Sequence, residues 1–234
     1  MPGAGTEEGY NMFGGITRWI EDLTRDPSGT LITLIYLTVC ILFSLILHEC
    51  AHGWVALKCG DPTAKMMGRL TLNPAKHLDP IGTICMLFLR IGWAKPVPIN
   101  PRNFRNFRRD YILVSLAGIF VNLILFLLST VATVLIYKYA TALWMNYLFQ
   151  FFIMLAQMNL SLAVFNLLPI PPLDGYRFLD QFVFKGSLSM NPQTMQVIHL
   201  IFLGICISGL LNGFLSTVNT AVFRTVFNFV FGIL

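Results

Sequence analysis

The chain has 234 residues, of which 56% are hydrophobic and only 12% charged, with a net charge of +5. About a quarter of the residues in a soluble domain are charged, so this composition excludes an ordinary water-exposed surface and points to a polytopic membrane protein. The basic excess does not mark a nucleic-acid binder. Ten of the sixteen Lys and Arg fall in residues 58–109, with no recognisable nucleic-acid fold around them, and residues 1–30 hold five acids against Arg18 and Arg25.

Residues 1–30 form an N-terminal segment, acidic and Gly-rich at the start, without the basic flank and apolar core of a signal peptide. The first apolar run, residues 31–57, is long enough to cross a bilayer. It contains His48-Glu49-Cys50-Ala51-His52, and Glu49 is its only acid. At 3.6 residues per turn, His48 and His52 share one helix face and can reach a single metal ion. In HExxH helices the glutamate is the general base on a metal-bound water. An ionisable residue at such depth is costly enough to be a functional hypothesis by default, against a polar face satisfied by neighbouring helices. Cys50 lies about 200° from His48 around the helix and points away from that face. The five cysteines have no paired metal spacing and read as small packing residues.

The basic region, residues 58–109, predicts a cytoplasmic location by the positive-inside rule, and its end, residues 100–110, can rest on anionic headgroups. Within it, Leu70-Thr71-Leu72 alternates in the manner of a strand, whose edge could pair with an extended substrate, or which could be a purely structural hairpin. Residues 81–94 are short for a span and carry Arg90, which suggests a re-entrant or sheet-like piece. Further apolar runs occupy residues 111–137, 148–168 and 194–211. Residues 214–234 carry Arg224 with several Asn and Thr, so they either span or lie in the interface. The expected fold is an all-α bundle of five to six transmembrane helices with a short membrane-associated β-hairpin. Its divisions are 1–30, a catalytic core over 31–184, and C-terminal membrane helices over 185–234.

A catalytic zinc site needs a third protein ligand and an open position. Asp174 follows an acid-free stretch that begins at Tyr111, and it ends the sequence NLLPIPPLDG, residues 166–175. Pro169, Pro171 and Pro172 stop a regular helix, and Gly175 permits a tight turn that would aim the carboxylate back towards the histidines. A Pro-rich turn closed by Asp174 as the N-cap of a following helix explains the same residues equally well.

HECAH, residues 68–83 (GRLTLNPAKHLDPIGT), residues 92–105 (GWAKPVPINPRNFR), Gly118-x-x-x-Asn122 and NLLPIPPLDG together resemble the site-2 protease family of intramembrane zinc metalloproteases, in its compact form lacking a PDZ domain. The resemblance covers roughly residues 30–180. It implies one Zn2+ per chain held by His48, His52 and Asp174, Glu49 as catalytic base, and single-span membrane proteins cut within the bilayer. It also implies a multi-pass protein of the cell membrane. Where many relatives have AGP, this chain has Ala117-Gly118-Ile119, which would straighten that helix.

Asn166 or Asn122 could donate to the oxyanion or to substrate, with helix-to-helix hydrogen bonding as the plainer role. His77 is expected to fix a local turn, and His199 to be satisfied by a helix contact. Gly209 and Gly213 form a single GxxxG. The alternatives are a catalytically silent zinc-binding scaffold and a membrane transporter. The presence of Glu49 argues against the first. The second predicts internal repeats and ionisable residues in several spans, and neither is present.

Overall fold

A computed structural model describes residues 21–79, 82, 95–188 and 191–234. The described segments are helical: α1 is Pro27–Lys58, α2 Thr63–Met66, α3 Phe107–Tyr139, α4 Met145–Leu167, α5 Asp174–Phe182, α6 Pro192–Ser208 and α7 Asn212–Ile233. Four of these, α1, α3, α4 and α7, are long and apolar enough to cross a membrane. Two of the spanning helices start for a local reason. Asp26 accepts from the Gly29 N–H with Pro27 following it, the usual opening of a helix. At α3, Asn106 caps Arg109 while Asp110 accepts the Asn106 N–H in return.

The bundle inverts the soluble pattern. Lipid is as apolar as leucine, so burying Leu and Phe gains little, and polar groups are what must be enclosed. Ser44, Asn122, Thr130, Thr133 and Asn159 are fully buried, whereas Phe120 and Leu128 face outward. Asn159 donates from α4 to Ser44 Oγ on α1 at 2.9 Å. Phe126, Ala156 and Leu160 form a packed core between α3 and α4, against which α7 lays Phe223 and Val226.

The expected β-hairpin, the long run at 194–211 and the GxxxG pair are corrected here. The β-hairpin is not found among the described residues: Leu70, Thr71 and Leu72 are irregular. The Thr71 carbonyl is taken by His77 Nε2 at 2.7 Å and by the Cys50 thiol at 3.2 Å, and Asn73-Pro74 then opens a short 3-10 turn, so no free edge forms there. The re-entrant segment expected over 81–94 lies, apart from Gly82, outside the described residues. The run at 194–211 is also cut short, because Gly209 adopts a left-handed conformation (φ 76°) and ends α6 after 17 residues. At 1.5 Å per residue that helix is about 26 Å long, less than a ~30 Å hydrocarbon core. The same break puts Gly209 and Gly213 on different elements, so they make no GxxxG face. By contrast, the ambiguous last segment is a 22-residue helix packed along α3 and α4.

The loop after α1 is pinned back onto that helix. Gly60 turns at φ 109°, where a Cβ would meet the Asn103 carbonyl. Buried Asp61 then accepts from the Thr63 and Asn100 N–H groups, the Thr63 hydroxyl and the Asn103 amide. Burial pushes its carboxyl pKa up, but these hydrogen bonds outweigh burial and hold it below the ordinary value. Asp61→Ala removes four hydrogen bonds to a buried carboxylate and should cost about 1–3 kcal/mol in unfolding measured in detergent. The parental advantage should be complete above the ordinary carboxylate pKa of about 4 and disappear as pH falls through the lower native value.

Candidate metal centre

His48 and His52 lie one turn apart on α1, as their spacing requires, and both are buried. Their Nε2 atoms are 3.0 Å apart. Asp174 arrives from the other end of the chain. Pro169 ends α4, residues 168–173 turn, and Asp174 is the first residue of α5, capped by Leu173 and not by its own side chain. Its Oδ2 lies 3.2 Å from His48 Nε2 and 3.0 Å from His52 Nε2, so the N-cap alternative gives way to convergence on the histidines. The other carboxylate oxygen faces Arg177 at 3.7 Å.

Two glycines make the convergence possible. A Cβ at Gly118 would lie 2.4–2.6 Å from ring atoms of His48 and His52. Any side chain there would push α3 off the imidazoles. Gly175 does not sit in the tight turn expected of it. It lies within α5, where a Cβ would meet the Leu167 carbonyl oxygen at 2.2 Å, so its role is to let α5 abut the end of α4.

The far edges of both rings are held from α3. His52 Nδ1 donates to the Val114 carbonyl at 2.7 Å, which leaves its Nε2 lone pair facing the cluster. The Asn122 amide lies 3.1 Å from His48 Nδ1. Asn122 therefore contacts the back of a histidine, away from the Nε2 face where a substrate oxyanion would form. Asn166, half-buried, donates to the Leu162 carbonyl of its own helix.

Glu49 is only partly buried, and its Oε2 accepts the Val97 N–H at 2.8 Å. Sequence reasoning missed this partner, although a signal was present. Between Pro96 and Pro98, Val97 holds the one N–H in a Pro-Val-Pro run. Arg108 was also missed: it donates to the Gln181 and Phe182 carbonyls and tethers the end of α5 to α3. Cys50 points to Thr71 and His77, away from the cluster, and buried His77 bonds Thr71 within its turn, both as expected. His199 is exposed on α6 with no hydrogen bond among the described residues, contrary to the helix contact expected of it.

The three donor atoms fit zinc. Four ligands in a tetrahedron at ~2.0–2.1 Å are about 3.3 Å apart, close to the 3.0–3.2 Å found here, and two imidazoles with a carboxylate are a hydrolytic donor set. Among the described residues this is the one such grouping.

Comparison with known proteins agrees with this geometry. The chain is 44% identical over 178 residues to "Putative zinc metalloprotease YwhC" of Bacillus subtilis (strain 168), covering 75% of this chain and 81% of that protein. The chain belongs to peptidase family M50, the site-2 proteases. The model of that family matches residues 128–209, which include Asp174. Two proteins named Rip2, described in the same words as YwhC, are also similar to this M50 chain. The one from Mycobacterium tuberculosis is 35% identical over 74% of this chain and 66% of its own length. The one from Mycolicibacterium smegmatis is 31% identical over 79% and 69%. No solved structure matches the chain.

Gly118→Ala would ordinarily favour a helix by up to ~1 kcal/mol. Here it should instead abolish stoichiometric zinc binding, measured by metal analysis of the purified protein, because the methyl group occupies the space of the two imidazoles.

Proposed function

We propose that this M50 protein hydrolyses peptide bonds of single-span membrane proteins within the bilayer of the cell membrane, using one zinc ion held by His48, His52 and Asp174 and Glu49 as the base. The observation that carries this reading is the meeting of two histidines from a membrane-spanning helix with a carboxylate 122 residues further along the chain, within 3.2 Å. The positive-inside distribution supports a cytoplasmic position for residues 58–109. His52 and His48 then lie about 9 and 15 Å above Lys58, so water must reach a site below the membrane surface.

Zinc, when bound, supplies a Lewis acid that polarises the scissile carbonyl and acidifies water. The protein does the rest. The Val97 N–H fixes one oxygen of Glu49 and leaves the other to take a proton as water adds to the carbonyl carbon. As the C–N bond breaks, Glu49 returns that proton to the leaving amine. Asn166, one turn from the proline-rich segment, is the remaining side-chain amide for a substrate carbonyl. Leu70, Thr71 and Leu72, lacking a strand, have no supporting geometry as a substrate edge.

Asn122 acts through His48. If His48 Nε2 binds the metal, Nδ1 carries the imidazole proton and needs an acceptor, and the Asn122 amide is in reach. Turning that amide by 180° presents Oδ1, which is otherwise buried without a partner, to the Nδ1 proton. Asn122 is thus a positioning residue.

Glu49→Gln should retain zinc and lose at least ~10²-fold in cleavage of a single-span substrate, whereas His48→Ala should lose both. Near-parental cleavage by Glu49→Gln would overturn the mechanism, and zinc loss by Glu49→Gln would make the residue structural.

Asn122→Leu should weaken zinc about 10–100-fold in chelator competition, and Asn122→Asp, which keeps the acceptor, should restore it. Parental affinity in Asn122→Leu would remove Asn122 from the site.

A further inference from the structure

Helix α7 carries a charge that the protease reading does not use. Phe223 packs on buried Phe126 with ring centroids 6.3 Å apart, and Phe231 lies against Tyr137 and accepts from Lys138 Nζ through its carbonyl. Near its start, Asn219 donates to Ser161 of α4 at 3.0 Å. These contacts run α7 alongside two spanning helices, so it crosses with them and does not lie in the interface. Arg224 follows Phe223 and therefore shares the depth of Phe126, roughly midway along α3. It is about 18 Å from one end of α7 and 14 Å from the other, beyond the reach of its own side chain to either headgroup layer.

Arg224 points outward. With Thr217, Thr220 and Asn228, spaced three and four residues apart, it forms one exposed polar stripe on the face turned away from α3 and α4. Arg224 and Asn228 have no hydrogen bond or ion pair among the described residues. An Arg facing hydrocarbon at mid-depth is unfavourable, and in membrane proteins such a group pairs with an opposite charge inside the bundle.

We infer that the outward face of α7 is a docking surface for a transmembrane helix of another protein that carries an Asp or Glu near mid-membrane. Charge selects this occupant. A second copy related by two-fold symmetry would set Arg224 against Arg224, and the Glu49 and Asp174 carboxylates of this chain are engaged at the metal centre. The flanking Thr and Asn suit the occupant, offering hydrogen bonds beside the ion pair. The inference is independent of the proteolytic reading, since its observations come from α7 and its packing on α3 and α4.

The test uses the full chain with Glu49→Gln, so that binding is read without turnover, reconstituted in zwitterionic vesicles. The probes are Leu/Ala-based single-span peptides bearing one central Glu, Gln or Lys, and association is followed by resonance energy transfer. The Glu peptide should bind at least tenfold more tightly than the Gln peptide, and Arg224→Leu should remove that preference. Arg224→Glu should favour the Lys peptide instead. Because Arg224 is exposed, these variants leave the packing of α7 intact. Equal binding of Glu and Gln peptides would overturn the proposal, as would a Glu preference that persists in Arg224→Leu. It would also fail if energy transfer between two labelled copies of the chain depended on Arg224, because the stripe would then be a self-association surface.

Discussion

The approach of α3 to the imidazoles of α1 is the constraint on which the centre depends. His48 and His52 present their Nε2 atoms to Asp174, and both rings lie against α3, where Gly118 has no side chain to hold the helices apart. The same approach brings the Val114 carbonyl and the Asn122 amide within hydrogen-bonding distance of the two Nδ1 atoms. One missing Cβ thus sets both the room for the rings and the partners that orient them. Helix packing through small residues is common in membranes, where close backbone approach replaces the hydrophobic drive between helices. In this protein the approach also positions the His48, His52 and Asp174 cluster.

Asp174 needs a different kind of support, because it stands on a short helix joined to α4 by a proline-rich turn. Gly175 seats the start of α5 against the Leu167 carbonyl, and Arg108 of α3 holds the carbonyls at its far end. The two ends of α5 are therefore fixed to α4 and to α3, the latter also holding the histidine rings. Glu49 is steadied from a third direction, by a loop that Asp61 and the Cys59 carbonyl fasten to the end of α1. Under the proposed function this division of labour has a physical sense: metal ligands need rigid convergence, whereas a proton carrier needs one fixed oxygen and one free.

Much of this was legible in the chain because it is local. A histidine pair four residues apart reports its shared face through helix periodicity alone, and uninterrupted apolar runs report α1, α3 and α4 by length. The C-terminal elements were harder. The sequence separates runs at 194–211 and 214–234, but only the left-handed turn at Gly209 decides that the first is too short to span while the second is long enough. The alternating Leu70-Thr71-Leu72 suggested a strand, but alternation cannot report that the intervening carbonyl is already claimed by His77 and Cys50.

The sequence by itself determined the membrane class, from composition and run length, and the paired histidines with their glutamate and the helix stop before Asp174, from neighbours within a turn or two. Only the tertiary structure decided that Asp174 meets the histidines, that Asn122 backs His48, that the Val97 N–H holds Glu49, and that Arg224 faces outward at mid-depth. These are contacts or exposures set by residues tens to more than a hundred positions apart. No local periodicity encodes the distance between two helices; it is fixed where backbones and side chains can fit together, and here Gly118 and Gly175 allow the fit.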